Sequence, residues 1–140
     1  KPNDVYRNMY ESNSISALKL RSRVLASLEL HFDNQVAIQT MLKSTLIECD
    51  ATYEEGQTLI NVPLKSRSVC VSVFFKENLS GVLRCSLRSK GDINVASIAQ
   101  HFDGGGHRTA AGFKSAFPLE EIKAKVLDML KSMIYERTKP

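Results

Sequence analysis

Three consecutive glycines followed by a histidine form the most informative motif of the sequence: Gly104, Gly105, Gly106 and His107. Glycine reaches backbone angles that are closed to other residues, and it has no side chain to hold a ligand away. Successive bare N–H groups can converge into a concave anion site. The imidazole of His107 and the hydroxyl of Thr109 would add donors beside those amides. The motif therefore predicts an anion-binding loop, with a flexible spacer as the alternative.

Two arginines upstream of the glycines could bind the same anion. Residues 82–89 are predicted to form a strand, in which successive side chains point to opposite faces. Arg84 and Arg88 would then share one face, while the apolar residues between them face the core. Guanidinium groups can fork onto phosphate oxygens, and Ser89 could support them. The alternative is a solvent-facing strand that happens to carry surface cations.

Residues that could bind a metal ion or form a catalytic triad are sparse. The histidines are His31, His101 and His107, and no histidine or carboxylate pair has the spacing of metal ligands. Hydrolysis of a phosphoester by metal ions needs several such ligands, often around two ions. The sequence has neither a Walker-type phosphate loop nor a Ser–His–Asp arrangement. We therefore predict that this chain holds no metal and no catalytic residue, and that His31 and His101 are structural.

The length, composition and net charge are typical of a globular protein that could bind an anion. The 140 residues are 43% hydrophobic and 24% charged, and the formal net charge of +4 permits a nucleotide or nucleic-acid ligand. No apolar run reaches the roughly 18 residues that span a bilayer, so no membrane association is expected. Cys49, Cys70 and Cys85 are odd in number and widely spaced. This pattern argues against a disulfide framework and favours the reducing cytoplasm.

The segment before residue 33 is predicted to be helical. Pro2 and the pair Asn3-Asp4 can begin a first helix, and the pair Asn13-Ser14 marks a break and a cap. A second helix would follow, with its apolar stripe at helical spacing on Ile15, Leu18, Leu25 and Leu28.

The remaining chain mixes strands and helices. The runs 69–75 and 82–89, joined by a short turn, predict an antiparallel hairpin, and short strands are expected at 36–38 and 113–117. Helices are expected at 42–48 and at 95–101 behind the cap Asn94. A long last helix is expected to begin with Pro118 at its first position, with a buried stripe of Leu119, Ile122, Val126, Leu130 and Met133. This order predicts an α+β fold in which a mixed β-sheet with an antiparallel hairpin is layered with helices.

Taken together, these motifs resemble the DHH-associated domain, the carboxyl-terminal domain of DHH-family phosphoesterases. The resemblance rests on residues 88–91 (Arg-Ser-Lys-Gly), on the glycine–histidine motif and on residues 110–112 (Ala-Ala-Gly). The subgroup that it resembles most is the nano-RNase and pAp-phosphatase type, also labelled exopolyphosphatase-related. The stretch that ends at Asn61 also matches the layout of that subgroup, which makes Asn61 a further candidate contact.

The resemblance implies a division of the chain. Residues 1–34 would be a helical connector that follows an amino-terminal DHH domain absent from this sequence, and residues 35–140 would be the substrate-binding domain. The absent domain would hold divalent cations, usually manganese, and the present one would hold none.

The resemblance also implies roles for single residues. Arg88 would bind a substrate phosphate, and the motif from Gly104 to His107 would grip a phosphate or the sugar beside it. Many relatives carry a fourth glycine at the position of Asp103, so the shape of the loop stays open at this residue.

Three functions remain as alternatives. The whole protein would hydrolyse short oligoribonucleotides, or remove the 3′-phosphate of 3′-phosphoadenosine 5′-phosphate, with this domain fixing the phosphates. Alternatively, the domain is a binding module for tRNA or single-stranded DNA without a hydrolase partner. The third alternative is a structural or dimerising domain, and a homodimer stays open. Cyclic dinucleotides and polyphosphate are also substrates of relatives, and the sequence does not choose among them.

Overall fold

A computed structural model describes residues 14–138 of the chain. Six strands, four α-helices and two 3-10 segments follow one another in this part. Their bounds are α1 (Ile15–Ala26), β1 (Glu29–His31), β2 (Val36–Met41), α2 (Lys43–Cys49), a long 3-10 segment (Glu54–Asn61), a short 3-10 turn (Pro63–Lys65), β3 (Val71–Glu77), β4 (Leu83–Ser89), α3 (Val95–His101), β5 (Gly105–His107), β6 (Ala110–Lys114) and α4 (Leu119–Thr138).

The six described strands form one mixed sheet in the order β1-β2-β3-β4-β6-β5. β2 and β3 run parallel, and the connection through α2 and the 3-10 segments carries the chain back between them. The other neighbouring strands pair antiparallel, including the β3–β4 hairpin. The predicted α+β class with a mixed sheet is therefore confirmed.

One face of the sheet packs against α3 and α4 and forms the larger core. β-branched, aromatic and aliphatic residues of the inner strands meet apolar side chains of the two helices there. The largest of these buried residues are Ile38, Phe75, Leu87, Ile98, Ile122, Leu130 and Ile134. The helices α3 and α4 therefore cover this face of the sheet.

The opposite face is covered over only part of its width by the described residues. Leu20 and Val24 of α1 pack with Met41 and Phe74 in a second core, which α2 and the long 3-10 segment complete. Beyond β3, the side chains on this face of β4, β6 and β5 are half-buried or exposed. We call this surface of β4, β6 and β5 the open face.

The described amino-terminal segment differs from its sequence prediction. α1 ends at Ala26 rather than near residue 32, and Glu29–His31 forms an edge strand because it pairs antiparallel with Val36–Ile38 of β2. Three residues are too few to show a strand period. His31 therefore lies in a strand and not near a helix end.

The predicted apolar stripe of α1 is also wrong. Ile15 and Leu18 are 68% and 52% exposed, whereas Leu20 and Val24 are fully buried. Helical spacing fits both sets, and only contact with the sheet selects between them. Ser14 does cap the helix, because its Oγ accepts a hydrogen bond from the backbone N–H of Ala17 at 3.0 Å.

The two-part division of the chain stays a prediction. Within the described residues, α1 and β1 belong to the same packed body as the rest, through the second core and the sheet. The first predicted helix, which begins at Pro2, lies outside the described residues.

The carboxyl-terminal third follows the sequence prediction in part. The strand expected at 113–117 lies earlier, at Ala110–Lys114, because these residues pair with β4 on one side and β5 on the other. α4 begins directly after Pro118, and its buried stripe ends on Ile134 rather than Met133. Within residues 14–138, no helix combines the length and apolarity needed to cross a bilayer.

Candidate functional site

Strand register brings Arg88 and His107 onto the same surface. Arg88 of β4 lies directly opposite Ala110 of β6, and Ala110 lies directly opposite His107 of β5. Directly opposed residues of antiparallel strands share a face, so the guanidinium and the imidazole both project from the open face. Because neighbouring strands are about 4.8 Å apart, the two Cα atoms are separated by about 10 Å.

Arg88 is available for a ligand. Its guanidinium donates one hydrogen bond, from Nη1 to the carbonyl oxygen of Leu87 at 3.2 Å. Within residues 14–138, no carboxylate forms an ion pair with Arg88. The half-buried guanidinium therefore keeps most of its donors for an anion, and the exposed His107 lies across from it.

The glycine motif begins at the carboxyl end of α3. Asp103 adopts a left-handed conformation with φ 66°. Its N–H bonds to the carbonyl of Gln100 at 3.1 Å, and the N–H of Gly104 bonds to the carbonyl of Ala99 at 2.7 Å. This pair of bonds is the Schellman arrangement, in which glycine usually takes the left-handed position. Asp103 therefore adopts the backbone that a fourth glycine would adopt.

The predicted loop is a strand in the structure. Gly105–His107 pairs with residues 110–112, so the expected convergence of three glycine amides does not occur. Glycine disfavours strands, but pairing with β6 overrides this preference. Residues 108 and 109 form the tight turn of a hairpin instead.

The three glycines of the motif differ in how much space their backbone surroundings leave for a side chain. A Cβ atom at Gly104 would lie 2.2 Å from the carbonyl oxygen of Gly112, and one at Gly106 would lie 2.5 Å from that of Ala110. Gly106 also has a φ of 143°, a backbone conformation that residues with a side chain rarely adopt. At Gly105, by contrast, nothing lies within 4 Å of the added Cβ. Gly104 and Gly106 thus permit close packing, whereas Gly105 faces free space.

Beside the row that contains Arg88 and His107 lies a second row of residues with little side-chain volume, which we call the floor of the site. Ser86, Gly112 and Gly105 are directly opposite one another on β4, β6 and β5. They lie two residues away from Arg88, Ala110 and His107 along their strands and therefore face the same side. A ligand can approach the backbone closely at this floor. Neither Ser86 nor Gly112 was predicted as a contact residue from the sequence.

A row of three cations lies on the other side of this floor. Lys76 of β3 is directly opposite Arg84 of β4, and Arg84 is directly opposite Lys114 of β6. Arg84 was predicted as a supporting residue, whereas Lys76 and Lys114 were missed. Strand alternation predicts the face of its own strand on which each side chain lies. Only the register shows that the three cations are neighbours.

The long 3-10 segment borders the open face on the β3 side. Ser72, directly opposite Arg88, donates a hydrogen bond from Oγ to the carbonyl oxygen of Ile60 at 2.6 Å. Asn61 follows Ile60 and is exposed. The candidate contact Asn61 therefore lies at the border of the site.

Ser89 and Thr109, which were predicted to support the anion site, lie outside the row of Arg88 and His107. Ser89 is 8% exposed on the helical side, and its Oγ donates to the carbonyl of Ile93 at 2.7 Å. Thr109 lies in the hairpin turn, where its carbonyl accepts the N–H of Ser89 at 3.0 Å. Ser89 therefore does not face the open surface, while the exposed Thr109 lies near His107 in the chain.

The described residues provide no donor set for a metal ion. His31 contacts the carboxylate of Glu29 at 3.3 Å, and the ring of His101 packs edge-on against Phe102 with centroids 4.9 Å apart. Within residues 14–138, no three His, Cys, Asp or Glu side chains cluster as metal ligands do.

Comparison with known families identifies the domain. The sequence profile of the DHHA1 domain matches residues 33–136, which include every strand of the open face. The chain belongs to the DHHA1 domain family. The predicted resemblance to the DHH-associated domain is thereby confirmed.

The DHHA1 domain has similar relatives among characterised proteins. The bifunctional oligoribonuclease and PAP phosphatase NrnA of Thermus thermophilus is 26% identical over 117 residues, which are 83% of this chain and 34% of NrnA. This chain therefore spans about a third of the length of that relative.

Solved structures show the same fold. An exopolyphosphatase-related protein from Bacteroides fragilis matches with a TM-score of 0.78 and 28% identity, over 98% of this chain and 39% of that one. The pGpG-specific phosphodiesterase PggH from Vibrio cholerae matches with a TM-score of 0.57 and 11% identity, over 86% of this chain and 39% of that one. The predicted similarity to nano-RNase and exopolyphosphatase-related proteins is confirmed.

Proposed function

We propose that this DHHA1 domain binds the phosphate of a short oligoribonucleotide or of 3′-phosphoadenosine 5′-phosphate on its open face. It would be the substrate-binding part of a metal-dependent phosphoesterase. The observation that carries this proposal is the shared row of Arg88 and His107 beside a floor that contains Gly105 and Gly112. The similarity to an oligoribonuclease and PAP phosphatase supports the substrate class.

The chemistry of the open face suits this role. A guanidinium such as that of Arg88 binds two phosphate oxygens at once. His107 can donate from either ring nitrogen, and the bare floor lets the sugar approach the backbone. Holding the phosphate in a fixed position lowers the entropic part of the barrier to attack on it.

The metal chemistry of the reaction would belong to another part of the protein. We assign it to an amino-terminal DHH domain that would hold divalent cations, expected to be manganese, and would be the direct partner of this one. The protein would act in the cytoplasm, which the free thiols of Cys49, Cys70 and Cys85 support.

Nuclear magnetic resonance titration of the 140-residue chain with adenosine 5′-monophosphate (AMP) tests the binding role. We expect the backbone amide signals of Gly105 and His107 to shift. Arg88→Ala should weaken binding at least tenfold, which corresponds to about 1.4 kcal/mol. The full-length protein with the same substitution should lose at least tenfold in kcat/KM.

A matched control is Lys131→Ala, which removes one exposed charge from α4 on the other side of the sheet. It should leave the AMP affinity unchanged. Shift changes confined to α4, or equal affinities of Arg88→Ala and the unsubstituted chain, would overturn the proposal. Binding of tRNA or single-stranded DNA with a steep salt dependence, but not of AMP, would favour the binding-module alternative.

A further inference from the structure

Lys76, Arg84 and Lys114 carry three positive charges at directly opposed positions of neighbouring strands. Like charges at such positions repel and destabilise a sheet. Within residues 14–138, no carboxylate forms an ion pair with any of the three. The fold therefore contains a repulsion that a bound anion would relieve.

Lys76 is the most unusual of these cations because it is only 7% exposed. Lysine is rarely buried without a charged partner. Its Nζ lies 5.4 Å from the ring centroid of Tyr53 and 5.7 Å from that of Phe74, which stabilises the cation in part. Burial, together with the charges of Arg88 and Arg84, lowers the pKa of Lys76 below its usual 10.5.

The cation row is separated from the first phosphate site by the bare floor. Arg84 and Arg88 are four residues apart on β4, a span of about 13 Å in a strand. Ser86 lies midway between them, and Gly112 and Gly105 continue its row without side chains. The open face therefore has a cationic group at each end and space for a neutral group between them.

We propose that Lys76, Arg84 and Lys114 form a second phosphate subsite, so that the open face selects ligands in which one nucleoside carries a phosphate on each side. This inference rests on the proposed function, because Arg88 and His107 hold the first phosphate. The nucleoside would lie over Gly105 and Gly112. The second phosphate would come from a nucleoside bisphosphate or from the first internal linkage of a short oligonucleotide.

Titration calorimetry with three ligands tests the second subsite on the 140-residue chain. AMP has one phosphate, 3′-phosphoadenosine 5′-phosphate has two, and a 5′-phosphorylated diadenylate has one terminal phosphate and one internal linkage. We expect the bisphosphate to bind at least tenfold more tightly than AMP. If the diadenylate also binds more tightly than AMP, by the same factor, the internal linkage is a ligand of the second subsite. If only the bisphosphate binds more tightly, the ligand is the terminal phosphate.

Lys76→Met tests the buried cation with a side chain of similar length. It should remove the gain of the bisphosphate over AMP and leave AMP affinity unchanged, whereas Arg88→Ala should weaken both ligands. Arg84→Gln should act like Lys76→Met, and because Arg84 is exposed, this second variant tests the subsite without disturbing packing. Thermal unfolding checks that both variants fold, and Lys131→Met serves as the charge control.

Three results would count against the inference, and they are distinguishable from one another. Equal affinities of the unsubstituted chain for AMP, the bisphosphate and the diadenylate would remove the second subsite and leave the first intact. No binding of either ligand would overturn the proposed function and the second subsite with it. A Lys76→Met variant that folds and retains the full gain would also exclude Lys76 from the subsite.

Discussion

Arg88 and His107 flank the methyl group of Ala110 in a single row that crosses three strands. Neither residue neighbours the other in the sequence, and the strand order β4-β6-β5 places the later hairpin beside the earlier strand. The small side chain between them leaves room for an anion to contact both. The proposed site therefore depends on Ala110 as well as on the two polar residues.

Ala110→Val should block the site without unfolding the domain. The branched side chain would fill the space between the guanidinium and the imidazole, so AMP affinity should fall at least tenfold. Valine favours strands and Ala110 is half-buried, so the free energy of unfolding should change by no more than about 0.5 kcal/mol. Nuclear magnetic resonance titration and urea unfolding measure the two quantities.

The matched control is the same change one residue later, Ala111→Val. Ala111 is 6% exposed on the packed side of the sheet, so this variant should lose about 1–3 kcal/mol of stability through overpacking. Unchanged AMP affinity in a folded Ala110→Val variant would show that the anion does not lie in this row.

Substitutions of neighbouring glycines should separate binding from folding. Gly106→Ala should destabilise the domain by about 1–3 kcal/mol, because of the positive φ and the approach of the new Cβ to the Ala110 carbonyl. Gly105→Ala should leave stability within about 1 kcal/mol of the unsubstituted chain, since its Cβ has free space. The same methyl group would stand on the floor of the site and weaken AMP binding. Comparable destabilisation by the two variants in urea would contradict the proposed orientation of β5.

An ion pair between Glu29 and Lys123 should make stability depend on pH. Lys123 Nζ lies 2.7 Å from Glu29 Oε2 and ties α4 to the edge strand β1. Burial acts to raise the pKa of Glu29, but hydrogen bonds from Lys123 and His31 outweigh it and hold this pKa below 4.5. A lowered carboxyl pKa stabilises the fold above the unfolded-state value, and this stabilisation disappears as the pH falls through the folded-state value.

Lys123→Met should therefore lose about 0.5 kcal/mol of unfolding free energy at neutral pH, a small amount because water screens the half-exposed carboxylate. The difference from the unsubstituted chain should shrink toward zero as the pH falls below 4.5 and Glu29 becomes protonated. Urea unfolding across this pH range measures it. Glu120→Gln is the control, since the Glu120 carboxylate lies farther from Lys123, at 3.7 Å, and is 84% exposed. A difference that stays constant with pH would exclude the ion pair as its source.

Local signals in the sequence determined most of the architecture. The β3–β4 hairpin, the caps Ser14 and Asn94 and the start of α4 next to Pro118 depend on side chains within a few residues, and all are present. The same holds for the placement of Arg84 and Arg88 on one strand face, because alternation is a local property of a strand. The glycine–histidine motif together with residues 88–91 was enough to indicate the DHHA1 family.

Only the tertiary structure determined which strands pair, which side chains are buried and which residues become neighbours. The strands β1 and β5 have three residues each and no clear strand signal of their own, so pairing with β2 and β6 creates them. The burial of Leu20 and Val24 in place of Ile15 and Leu18 depends on where the sheet lies. The row of Lys76, Arg84 and Lys114 exists through register alone, because hydrogen bonding between strands far apart in the sequence sets which side chains become neighbours.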